Sequence, residues 1–144
     1  MAGLAGCSSE PLEADTRPLP AGVTVSARQY LSDAAGTVAA MDAFAAALGR
    51  AGPRLTPPRA QALAPDLAEA AGTACALQRR LAAQRLEDAR LEAQRTALVQ
   101  PLADACDAMR GVAEAARRGD PETVAERAGD LRVVFERIRA SAGA

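Results

Sequence analysis

From Ala27 onward the apolar positions Ala27, Leu31, Ala34, Val38, Met41, Ala45 and Leu48 alternate at spacings of four and three, the seam of an amphipathic helix. Phe44 widens that seam, Ser26 precedes it as a cap, and Gly49, Gly52 and Pro53 close it, which predicts a helix over 26–49. Thr56-Pro57-Pro58 is a second start signal, and Pro65-Asp66 marks a restart or a kink. A further seam runs through Leu67, Ala70, Ala74, Leu77 and Leu81, crosses the polar Gln84 and Asp88, and resumes at Leu91. It then continues in phase through Arg95, Leu98, Leu102, Ala105, Met109, Val112 and Ala116. Arg117-Arg118-Gly119-Asp120-Pro121 combines a basic last turn, a glycine, a cap residue and a proline in the next first turn. A last helix, about 121–141, carries Val124, Ala128, Leu131, Phe135 and Ile138.

The middle of the chain admits two readings. The unbroken period favours one helix over 66–118, 53 residues and about 80 Å long, with a kink near Pro101. The fold expected on this pattern is all-α: an elongated antiparallel bundle of three helices with a long central helix. The alternative is a four-helix up-down bundle in which 84–95 (QRLEDARLEAQR) conceals a tight reversal with Asp88 as a cap, an arrangement that buries more apolar surface.

Composition supports the helical reading and narrows the chemistry. Alanine supplies 38 of 144 residues and isoleucine one, so helix formers dominate and β-branched residues are scarce. With no histidine, a Ser-His-Asp triad, a Cys-His dyad and any imidazole-ligated metal are excluded. Seventeen arginines against 18 acids leave a net charge of −1, with neither the basic face nor the stacking aromatics of a nucleic-acid binder. No uninterrupted run approaches the roughly 18 to 20 apolar residues of a membrane span.

The chain opens Met1-Ala2-Gly3-Leu4-Ala5-Gly6-Cys7-Ser8-Ser9, and Leu4-Ala5-Gly6-Cys7 resembles the lipobox of bacterial lipoproteins. That resemblance covers four residues and the polar pair after them. It implies that Cys7 is lipidated on its thiol and becomes the first residue after cleavage, while residues 1–6 are the remnant of a signal peptide. Such peptides carry a basic segment and an apolar core, whereas only six uncharged residues stand before Cys7, so the true start is expected upstream. Residues 8–25, rich in Ser, Pro and acids, have no helical period, and 7–25 reads as lipid-attachment site and flexible tether ahead of a helical domain at 26–142.

Outside the cytoplasm the remaining thiols, Cys75 and Cys106, tend to pair. On one straight helix their separation of 31 residues is about 46 Å, too far for a bond, whereas a reversal near residue 90 or an antiparallel dimer would bring them level. Two buried, unreactive thiols are the third alternative. Asp104 and Asp107 form an incomplete ligand set and read as a solvated face. The Arg79, Arg80 and Arg85 cluster reads as stems lying over apolar surface with their heads in water. The Met41/Phe44/Leu48 and Phe135/Ile138 groups read as core.

These features point to a non-catalytic protein with no cofactor, metal or small-molecule substrate. It is expected on the outer face of a bacterial cytoplasmic membrane, bound through its lipid and presenting a helical surface for self-association or a protein partner. The alternative is a soluble cytoplasmic helical adaptor or regulatory subunit.

Overall fold

The computed structural model describes residues 14–142. Four helices account for most of them: α1 (Ala27–Gly49), α2 (Pro57–Ala83), α3 (Ala89–Arg117) and α4 (Pro121–Ala142). Two two-residue strands, β1 (Val23–Thr24) and β2 (Gln84–Arg85), pair in parallel. The chain is all-α, but the expected central helix over 66–118 does not form. It reverses at Gln84–Asp88, giving the four-helix arrangement in place of three.

Helix ends follow the local chemistry. Ser26, Thr56 and Asp88 sit in extended backbone and accept from the amides of Gln29, Arg59 and Leu91. Pro57 opens α2, where its missing N–H costs nothing. At the end of α3, Gly119 takes φ +68, and the amides of Gly119 and Asp120 bond the carbonyls of Ala116 and Ala115, a Schellman stop. Asp120 then accepts from the Thr123 amide to start α4. Pro65 and Pro101 are accommodated inside α2 and α3 without ending either helix.

The α2–α3 reversal contains neither glycine nor proline, and its partners are distant in sequence. The last carbonyls of α2 are satisfied from outside the helix: Arg95 donates to Leu81 and Ala82, and the Gly22 amide donates to Ala83. The Val25 amide donates to the Arg85 carbonyl. A local reading of 84–95 has no access to the Gly22 and Val25 amides, which is why the period alone extends the helix.

Successive helices run antiparallel: α1 packs on α2, α2 on α3 and α3 on α4. Leu67, Leu77 and Leu81 of α2, Leu98, Leu102, Met109 and Val112 of α3, and Leu131 and Ile138 of α4 are buried, so the seams predicted for these helices face the core. The α1 seam is out of phase. Its buried face is Tyr30, Asp33, Thr37, Ala40, Met41, Phe44 and Ala47, while Leu31 and Val38 are 53% and 37% exposed. Only the C-terminal end of the expected seam, Ala45 and Leu48, borders a groove shared with α4, whose last-turn residue Arg139 reaches Asp42. About three turns at the start of α1 therefore run past the end of α4. At Gly36 a Cβ would lie 3.1 Å from Leu77, so the missing side chain sets the close approach of α1 and α2.

Helix α1 also meets the length and apolarity of a membrane span, with a mean hydropathy of 1.2, although no uninterrupted apolar run stands out in the sequence. Here it is one wall of the bundle and carries the buried Asp33.

Candidate functional site

Cys7 lies outside the described residues. Residues 14–25, expected as the end of a tether, do not hang free but lie along α1 and α2. Arg80 donates to the Arg17 carbonyl at 2.7 Å, Ala14 reaches the Gly36 cleft, and Val23 and Thr24 pair with Gln84 and Arg85. We refer to this segment as the strap.

The strap is fastened over a buried polar cluster that charge runs do not reveal. Asp33 of α1 accepts from Arg80 Nε of α2 at 3.3 Å and from Gln84 Nε2; all three side chains are almost fully buried. Asp15 of the strap lies 3.6 Å from the same guanidinium. Hydrogen bonds from Arg17 to its side chain hold Asp15 well below the usual carboxylate range. The Arg79, Arg80 and Arg85 cluster is therefore dispersed. Arg80 is interior, Arg79 is exposed, and Arg85 reaches Glu92 at 3.6 Å. The legible signal was a lone acid in the apolar face of α1 and a glutamine on the α2 seam.

A second cluster braces the reversal. Arg95, 4% exposed, makes two hydrogen bonds to Glu92 and points its guanidinium at the end of α2. Those bonds from Arg95 lower the Glu92 carboxyl to about 2. Tyr30 donates its hydroxyl to Gln94 Oε1 at 3.0 Å, and burial raises its phenol.

Cys75 and Cys106 face each other across α2 and α3 with Cα atoms 5.2 Å apart and form a disulfide, both residues being buried. The reversal brings them level. It closes a loop through Gln84–Asp88 and ties together the two helices that carry the bulk of the core.

Between the C-terminal half of α1, the 50–55 connection and α4 lies an open groove of about 1040 Å³, with Leu48, Leu55, Leu131 and Phe135 in its lining and Arg54, Arg132 and Glu136 around them. Met41, Phe44, Phe135 and Ile138 belong to the core and Leu48 packs half-buried against it, with Phe135 and Leu48 also bordering this groove. A shallower groove of about 630 Å³ between α2 and α3 is lined by Ala64, Ala68, Ala71, Gly72 and Ala113. Asp104 and Asp107 are exposed, and Asp104 accepts from Gln100. Among the described residues no group of three Cys, Asp or Glu side chains is arranged to hold a metal ion.

Compared with known proteins, the chain matches no family model, no curated protein and no solved structure.

Proposed function

We propose that this protein is a non-catalytic helical lipoprotein. Cys7 fixes it to the outer face of a bacterial cytoplasmic membrane, and the bundle serves there as an interaction or structural module. The observation that carries the reading is the Cys75–Cys106 disulfide. Such bonds persist in oxidising compartments and are kept reduced in the cytoplasm, which favours export over a cytoplasmic adaptor. The lipobox-like Leu4-Ala5-Gly6-Cys7 supplies the means of attachment. A thiol carrying a diacylglycerol, with a further acyl chain on its amine, gives the two or more hydrocarbon chains that stable anchoring needs.

The strap supports a close mounting. Chain from Cys7 to Ala14 spans at most about 25 Å however it runs, and from Ala14 on the backbone is bound to the bundle. A domain so mounted stays near the bilayer and moves as one piece with the segment that holds it.

The test is fractionation of bacteria expressing the gene together with its upstream sequence. The wild-type chain is expected in the membrane fraction, accessible to protease added outside, and Cys7→Ser is expected to leave the cytoplasmic membrane or accumulate unprocessed. A wild-type chain found in the cytosol with reduced Cys75 and Cys106 would replace this reading with the adaptor.

A further inference from the structure

The strap holds the bundle by polar contacts with little apolar surface beneath them. No side chain of residues 14–25 is buried, and only Leu19, Val23 and Val25 are half-buried. The contacts include the Gly22 and Val25 amides on the Ala83 and Arg85 carbonyls, the Arg17 carbonyl on Arg80, and Asp15 beside the same guanidinium. The surface beneath is polar as well: Asp33, Arg80 and Gln84, whose Oε1 has no hydrogen-bond partner. Lifting the strap therefore replaces hydrogen bonds with water and uncovers little apolar surface, whereas lifting any helix would open the leucine-rich core.

We propose that the strap is a latch on a mount of two lengths: it opens as one unit over 14–25 while the four helices stay packed. Closed, it fixes the chain to the bundle at Ala14, seven residues after Cys7. Open, the first fixed residue is Ser26, the cap of α1, and the 19 residues from Cys7 span at most about 65 Å in place of about 25 Å. The reach rests on the anchor proposed at Cys7, whereas the opening does not. A partner held farther from the bilayer than the closed mount allows is met by opening the strap instead of unfolding the bundle. The turn that aims β1 at β2, closed by the Val23 amide on the Pro20 carbonyl, depends on Gly22 at φ +75. An added Cβ there meets no neighbour, so a side chain at Gly22 strains the closed form alone.

Amide hydrogen exchange by NMR on the full chain carrying Cys7→Ser, with the Cys75–Cys106 bond intact, tests the latch without a membrane. Gly22 and Val25 are expected to share one protection factor, above that of an open chain and at least about a hundredfold below those of the buried Leu77 and Met109. Low urea should leave it unchanged, because little surface is exposed on opening. Gly22→Ala is expected to speed exchange at Val25 by about tenfold and to leave Leu77 and Met109 as they were. A Cβ at Gly36 would stand 3.8 Å from that of Ala14, the spacing of a disulfide. Oxidised Ala14→Cys with Gly36→Cys should therefore slow both strap amides by about tenfold or more relative to Ala14→Ser with Gly36→Ser. Strap amides as slow as Leu77, or as fast as an open chain, overturn the proposal, as does a cross-linked strap that exchanges no more slowly than its serine control. A chain that shows the expected exchange yet is unlipidated in cells would remove the anchor and leave the latch.

Discussion

Reduction of the Cys75–Cys106 bond removes one constraint from the unfolded chain and little from the folded one, because both sulfurs are already enclosed between α2 and α3. The bridge closes a loop of 31 residues. Chain-entropy scaling for a loop of that length gives a stabilisation of about 3–4 kcal/mol at 25 °C. A domain of about 130 residues unfolds with an entropy near 270 cal/mol/K, so the expected drop in melting temperature is about 13 °C. The assay is thermal unfolding followed by circular dichroism at 222 nm, with and without a phosphine reductant, on the chain carrying Cys7→Ser. Thiol titration of the unfolded protein accompanies it. No thiol before reduction and two after, with a fall of that size, are expected. Equal melting temperatures, or two thiols titrating without reductant, would refute the reasoning, because the cross-link would then be absent or without mechanical consequence.

The buried polar cluster gives a second expectation. Asp33→Ala leaves the Arg80 charge interior with its main partner gone and should cost about 3 kcal/mol in urea unfolding, whereas Asp33→Leu combined with Arg80→Met should cost less than the single change. The carboxyl of Glu92 is lowered on folding to about 2, so its contribution is complete above its unfolded value, near 4.3, and is lost as pH falls toward 2. The stability gap between the wild type and Glu92→Gln should therefore close between about pH 4.5 and 2, measured by urea midpoints. The strap amides of Gly22 and Val25 donate to Ala83 and Arg85, so they should exchange with deuterium far more slowly than an open chain; immediate exchange at both would mean a free tether.

Much of the secondary structure was written locally. Ser26, Thr56, Asp120 and the Gly119 stop act within one turn of themselves, and the ends of α1 and the start of α4 could be placed from them. The seams of α2, α3 and α4 were legible for the same reason, since their large apolar residues fall mostly on one face, the exposed Val133 of α4 being an exception. Helix α1 misled because it is apolar on two adjoining faces. Period alone cannot say which face meets α2 and which is left beside an α4 staggered along it. The reversal at Gln84–Asp88 was hidden because its stabilising donors come from Gly22, Val25 and Arg95, contacts that exist only once the chain has folded back. Polar residues at seam positions, Gln84 and Arg95, were the trace it left in the sequence. Asp33 and Arg80 were illegible as a pair for a related reason: 47 residues separate them, and a lone acid in the apolar face of α1 does not name its partner.

The proposed membrane attachment and export both rest on Cys7 being a lipid-bearing terminus in front of an oxidised bundle. Intact-mass spectrometry of the chain extracted with detergent from its own cells tests both at once. The predicted result is a polypeptide beginning at Cys7, heavier than its sequence by a diacylglycerol and a further acyl chain, and lighter by two hydrogens for the Cys75–Cys106 bond. An unacylated chain retaining the residues before Cys7, with all three thiols reduced, would contradict it.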